Sequence, residues 1–516
     1  MALAMETHMS MPNQNMAPNA IRPRRSALTA IAIAAALTAP LPAVAEIDAD
    51  GIVAEAQQML DNFVKASEGA LQPSGPITYV RDGDSVIITS PSIVLDMPPT
   101  RFDIPPALTR LHEIDGNLIA FEAELPTEII GRKVAPATPD ELRLTIDAQK
   151  TTGTYRRDIA YYETIDMRLG DLRLTSGEGG FSVGDLTYSA KLIENAPGDW
   201  SADGAYVMNN LVFTDPDARP IVAIAKIGMG SDVSQVDVPQ YLAFNRRIMA
   251  AVMPGGDFNE VKAEAEAQAA MLELMDSLPD MLDGASGSMQ MQIAGLQVTM
   301  PHEPPFDLGA ASIAMDLKPS GTYYDLGIGV SFDEPKVDPA ALPAPPELMP
   351  QKLNAALALR QVPIATVWQS VAGPLREEIK GDPSGAAAQQ LEMAPMMAMG
   401  AAAEAGTFAE IEGLRLVVGP ATLNAQGVGP VLPGLPQPAL RVEASIEGLD
   451  ALVSVAQGLA PEMSQQITPL VLMVRGLGQP KSANNEIVYE YLIEQGPKGP
   501  GDILINGVSI GDMRPQ

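Results

Sequence analysis

The sequence predicts an α+β protein, with extended, twisted antiparallel β-sheets and helices packed on one face. Three observations lead there. Long stretches alternate apolar and polar residues with the period of two that marks half-buried strands. The connections between them are short and Gly-containing, as at Asp115-Gly116-Asn117 and Gly177-Glu178-Gly179-Gly180, which favours antiparallel neighbours. Some segments then change from strand to helix spacing across a sharp corner. At Arg441–Ala460, Val442, Ala444 and Ile446 share one face and Gly448 ends the strand. Asp450 can cap the helix beyond it, in which Leu449, Leu452, Val453, Val455, Ala456 and Leu459 recur at helical spacing. Leu353–Val371 repeats this strand–corner–helix unit about 90 residues earlier, which suggests an internal duplication.

Taken in order, residues 1–45 read as a signal peptide. Arg22, Arg24 and Arg25 are its basic region, Ala27–Ala39 its apolar region, and Ala43-Val44-Ala45 a small-x-small cleavage site before Glu46. Arg24-Arg25 matches a twin-arginine signal only in part, so the general secretory route is expected. Asp50 is expected to cap a first helix carrying Val53, Ala56, Leu60, Phe63 and Val64, ended by Gly69. Asp48-x-Asp50-Gly51 fills too few positions of a calcium loop to be read as one. Residues 46–334 form a β-rich domain. Its strands are expected at Ile77–Arg81, Ser85–Thr89, Ser92–Asp96, Leu118–Leu125, Glu141–Gln149, Ile159–Arg168, Asp171–Thr175, Phe181–Leu192, Gly204–Phe213, Ile221–Gly228, Met289–Met300, Ala311–Leu317 and Tyr323–Phe332. A helical insertion (239–284) interrupts them, with helices at Tyr241–Val252 and Phe258–Leu278.

Residues 335–350 hold Pro335, Pro339, Pro343, Pro345, Pro346 and Pro350 and read as an extended Pro-rich linker. Residues 351–516 form a C-terminal α+β domain. After the first corner unit, a helix is expected over Ile364–Ile379, broken at Gly373-Pro374, and another over Gly385–Ala405, kinked at Pro395. Strands Phe408–Val418 and Thr422–Val428 lead to the second corner unit. A helix at Pro461–Leu477 and a hairpin of Glu486–Glu494 with Asp502–Ile510 complete the chain.

Composition narrows the function. The chain has 516 residues and a net charge of −31, with 0 Cys. Loss of a leader of net charge +2 would take it to −33. Such a charge repels nucleic acid and anionic surfaces at long range. Without Cys there can be no disulfide, thiolate metal site, cysteine nucleophile or lipidated cysteine anchor. No apolar run after the leader is long enough for a helical membrane span, and aromatic residues, 4% of the chain, are too few for the girdles of a membrane barrel. A periplasmic protein is the expectation.

Motifs for chemistry are weak throughout. Of 3 His, His8 lies in the leader, and His112 and His302 have no second His at metal-ligand spacing. Gly180-Phe181-Ser182-Val183-Gly184 and Gly507-Val508-Ser509-Ile510-Gly511 have the letters of a nucleophile elbow. Both lie in strand-like sequence with no helix opening behind the Ser. Gly327-Ile328-Gly329 and Gly427-Val428-Gly429 lack the context of a dinucleotide site. Met393, Met396, Met397 and Met399 cluster tightly. Thioethers can bind Cu(I), but an adaptable apolar helix face is the plainer reading. No residue is therefore assigned a catalytic, cofactor-binding or metal-binding role, and no cofactor is expected.

The strand pair Thr422–Ala425 and Arg441–Ala444, the Gly448-Leu449-Asp450 corner with its helix, and the closing Ile505–Gly511 together carry a resemblance. Phe408–Gly511 resembles the end of an uncharacterised bacterial periplasmic family, one of the domains of unknown function. It is distantly similar to AsmA-like envelope proteins, which are built on long β-sheets and implicated in lipid traffic. The resemblance covers about a fifth of the chain and implies compartment and architecture, with no catalytic residue to carry over. The function expected is that of a non-enzymatic envelope protein that binds a lipid, another apolar ligand or a protein partner. The alternatives are a structural or assembly protein of the envelope and a hydrolase using acidic residues.

Overall fold

The alternating stretches become strands, and the strands become one sheet. The computed structural model describes residues 49–509 except 68, 98–99, 134–140, 160, 243–259, 282, 301–303, 338–347, 381–385, 432–437, 459–460, 484–485 and 500–501. The leader and His302 thus lie outside the described residues, as do Asp48 and most of the expected helix Tyr241–Val252.

Helix α1 (Ala49–Ala66) is followed by eight short strands: β1 (Leu71–Pro73), β2 (Thr78–Asp82), β3 (Ser85–Thr89), β4 (Ile93–Met97), β5 (Thr100–Ile104), β6 (Leu108–Glu113), β7 (Leu118–Glu124) and β8 (Glu128–Lys133). Long strands then run back and forth: β9 (Glu141–Arg156), β10 (Tyr161–Ser176), β11 (Gly179–Ala196), β12 (Asp199–Thr214) and β13 (Pro220–Val236). After helix α2 (Glu260–Met281) the meander resumes with β14 (Ser286–Val298), β15 (Phe306–Ser320), β16 (Tyr323–Val337) and β17 (Pro350–Val362). Helices α3 (Ile364–Ile379) and α4 (Ala386–Glu404) precede β18 (Phe408–Val418), β19 (Ala421–Pro430) and β20 (Arg441–Glu447). Helices α5 (Leu449–Gln457) and α6 (Pro461–Leu477) lead to β21 (Gln479–Ala483), β22 (Glu486–Gln495), β23 (Ile503–Ile505) and β24 (Val508–Ser509).

Every strand pairing among the described residues is antiparallel. From β9 to β20 each strand pairs with the next in sequence, and β20 then pairs with β22. The sheet continues across the Pro-rich stretch, because β16 and β17 pair along most of their length. It forks at its N-terminal end. The second half of β9 pairs with β7 and the first half with β8. Helix α1 serves both branches. Its Leu60, Val53 and Val64 pack with Leu71, Ile93 and Phe102, and its Ala49 and Ile52 pack with Val86, Leu111 and Ile119. Asp50 sits in the first turn of α1 and accepts a hydrogen bond from the Tyr79 hydroxyl at 2.6 Å.

One line of irregular backbone crosses the long strands at a common height. Positions 147 and 171, 184 and 210, 225 and 295, and 309 and 334 are skipped in alternate ladders. Asp171, Asn210, Gly295 and Glu334 there have φ of 49, 54, 62 and 53°. A left-handed residue inverts the phase of alternation, so Leu169 and Leu172 on β10 enter the same core although three positions apart. This explains one departure from the sequence reading: Ile159–Arg168 and Asp171–Thr175 are a single strand. The short β1, β5, β6, β8 and β21 have no counterpart among the expected strands.

Two further expectations are corrected. Helix α3 runs unbroken through Pro374. Ala372 and Pro374 are both buried, and their packing offsets the one backbone bond that proline forfeits. The closing hairpin is also smaller than expected. Only Ile493–Gln495 pair with Ile503–Ile505, and residues 502–509 contain their own tight pair, β23 with β24, turning at Asn506-Gly507.

Helices α2, α3 and α4 connect strands at the end of the sheet where β13, β15 and β17 finish. Trp368 of α3 donates its indole N–H to the Met275 carbonyl of α2 at 2.9 Å, and Arg376 pairs with Asp276. Tyr324 at the start of β16 anchors the exit from α2, its hydroxyl accepting the Gly284 N–H at 2.8 Å.

Candidate functional site: the two faces of the sheet

The strand register sorts side chains into two contrasting faces. One row runs Tyr206, Met229, Met291, Ile313, Val330 and Ala355 across β12 to β17, each residue directly opposite the next. It continues through Leu414, Ala425 and Ala444 to Tyr491. A parallel row joins Met289, Met315, Ile328 and Leu357. Directly opposite side chains in a ladder are close enough to touch, so these rows form a continuous apolar face.

Both ends of this face are covered. At the N-terminal end, Leu169, Leu186, Met208 and Ile227 join the core that includes α1 and the short strands. At the C-terminal end, Ala444, Ile446, Tyr489 and Tyr491 pack with Leu449 and Leu452 of α5 and Val471, Val474 and Leu477 of α6. The middle is open. Met229 and Val233 of β13, Met289 and Met291 of β14, Met315 of β15, Ile328 and Val330 of β16, and Leu357 and Leu359 of β17 are between 38% and 47% exposed. Four strand spacings make this stripe ~19 Å long. Contiguous exposed apolar patches are uncommon on folded proteins.

The opposite face is polar. Its central row runs Gln292, Ser312, Ser331, Asn354, Arg415 and Asn424, then Ser445 and Glu490. Small residues form the neighbouring row, Ala314, Gly329, Ala356 and Gly413. Together the polar faces of β15–β20 and β22 line a groove of about 1200 Å³. Most cations near it are paired with carboxylates. Arg360 meets Asp325, Glu410 and Glu412, and its hydrogen bond to Glu410 is the main reason its pKa is raised. Arg441 pairs with Glu443, and Lys481 with Glu490.

The sequence motifs do not gather into a reactive centre. His112 lies exposed on β6, opposite Ser85 and Ala120. Ser182 is within β11, paired with Arg173 and Val212, with no helix behind it. Ser509 belongs to the two-residue β24. Gly327 and Gly329 are mid-strand in β16, and Gly427 and Gly429 lie in the last part of β19. Met393, Met396, Met397 and Met399 are all exposed on α4. Among the described residues no group of three or more His, Asp or Glu is placed to hold a metal ion. What sequence reasoning missed was the registration of strands into one face. The recurrent Met and β-branched residues of β13–β17 were its visible trace.

No family model matches the chain, and no curated protein or solved structure does so either.

Proposed function

We propose that this chain is a non-enzymatic protein of the bacterial cell envelope, exported to the periplasm by its N-terminal leader, which holds a lipid acyl chain along the open apolar stripe of β13–β17. The observation that carries the reading is the exposure of Met229, Met289, Met291, Met315, Ile328 and Leu357 on one face, between two ends of the same face that are covered. The ~19 Å stripe compares with ~15 Å for one leaflet of a ~30 Å hydrocarbon core. Its lining favours alkyl chains over a protein. Protein interfaces are anchored by Trp, Tyr and Arg, whereas these side chains are aliphatic or thioether. Methionine is unbranched and adapts to chains of different shape.

In this reading the helices on one face, α1 at one end and α5–α6 at the other, close off the stripe. The strand–corner–helix units β17–α3 and β20–α5 fit an origin by duplication. The resemblance to periplasmic and AsmA-like proteins agrees in compartment and in ligand class. Extraction of the purified full chain with organic solvent, followed by mass spectrometry, tests the proposal. Lipid recovered in stoichiometric amount is the expected result. Repeated recovery of none, with no transfer of lipid between vesicles, would overturn it.

A further inference from the structure

The polar groove on the other face is a separate feature with its own chemistry. Asn354, Arg415 and Asn424 stand directly opposite one another on three adjacent strands, so their side chains form a row at ~5 Å intervals. Arg415 has no carboxylate within ion-pair distance among the described residues, although the chain's net charge is −31. Arg441 pairs with both Glu443 and Glu494, and Glu490 of the lining is held by Lys481, so Arg415 is the cation of the groove that no carboxylate among the described residues neutralises. Ser312 and Ser331 bond to each other at 2.7 Å, while Asn354, Asn424 and Ser445 are left with open hydrogen-bonding capacity. Beside this row the small side chains of Ala314, Gly329, Ala356 and Gly413 leave a trough into which a ligand can settle.

We propose that this groove binds a short carboxylated oligosaccharide, laid across the strands with one carboxylate on Arg415. A guanidinium presents paired donors that match a carboxylate bidentately. Side-chain amides offer a donor and an acceptor together, as vicinal hydroxyls require. From Ser331 to Ser445 the row extends ~19 Å, enough for several linked rings. A peptide is disfavoured because β15–β20 are each paired on both sides, leaving no edge to which a peptide strand could add. The site lies on the face opposite the acyl stripe, so its failure or success is independent of that proposal.

Calorimetric titration of the full chain with tetragalacturonate tests it, with maltotetraose, tetra-aspartate and inorganic phosphate as comparison probes. Binding of tetragalacturonate is expected, at least tenfold tighter than any of the other three. Arg415→Gln should weaken it at least tenfold and Asn354→Ala severalfold, with unchanged thermal unfolding because both side chains face the open groove. Met291→Glu, on the other face, should leave it unaltered. No binding of tetragalacturonate, binding indifferent to Arg415→Gln, or equally tight binding of maltotetraose, tetra-aspartate or phosphate would each overturn the proposal.

Discussion

The Tyr489 hydroxyl donates to the Asp450 carboxylate at 3.0 Å, joining strand β22 to the first turn of α5. Arg475 of α6 completes the clasp, its Nε lying 2.9 Å from both groups. Tyr489 is buried, so its hydroxyl would otherwise be desolvated without a partner. This clasp fixes the two helices over Ala444 and Ile446. Replacing Tyr489 by Phe should lower unfolding free energy by about 1–2 kcal/mol, measured by denaturant titration.

The corner preceding that clasp depends on Gly448. Its φ is +72°, and a Cβ there would stand 2.0 Å from the Pro420 carbonyl oxygen. Gly448→Val should therefore cost at least ~2 kcal/mol, from both the left-handed backbone and the clash. A loss of ligand binding from a fully stable Gly448→Val protein would instead assign the corner a direct functional role.

Burial, with a smaller contribution from Tyr489, pushes the Tyr491 phenol up to about 12. An unfolded tyrosine ionises near pH ~10, so between these values the unfolded chain loses a proton that the folded chain keeps. Stability from this group is therefore full below pH ~10 and declines as pH rises toward 12. Tyr491→Phe removes the bond its hydroxyl makes to the Val474 carbonyl at 3.0 Å, lowering stability at neutral pH. The gap to the unaltered protein should narrow above pH ~10, as read by denaturant titrations across that range.

The line of irregular backbone gives a further expectation. Asn210 has φ 54° and lies against Gly184, where a Cβ would come within 3.2 Å of the Asn210 Cβ. Asparagine tolerates this conformation and β-branched residues do not. Asn210→Val should lower stability by about 1–2 kcal/mol and Asn210→Gly should leave it nearly unchanged, as read by denaturant titration.

Much of the fold was legible in the sequence because alternation is a local signal. Ser85–Thr89, Phe408–Val418, Ile364–Ile379 and Pro461–Leu477 have the same bounds as their elements. The short strands β5, β6 and β8 were missed because Pro-containing segments around Pro98, Pro105 and Pro126 obscure their alternation. Strand β10 was divided because Asp171 reverses the phase of its pattern. The candidate site was much less legible. Whether Met229 meets Met291, and Met289 meets Met315, depends on registration between strands separated by helices and turns, and no local pattern specifies it. Arg415 is likewise an ordinary strand arginine until Asn354 and Asn424 are seen beside it.

Adjacent residues on one strand distinguish the two faces of the sheet directly. Met291 is on the open apolar face and Gln292 on the polar face. A photo-crosslinking amino acid placed at each position, followed by irradiation with lipid vesicles and mass spectrometry of the protein, reports which face meets acyl chains. Lipid adducts from position 291 and none from 292 are the predicted result. Equal labelling at both positions, or labelling at 292 alone, would contradict the assignment of the β13–β17 stripe as the acyl-chain site.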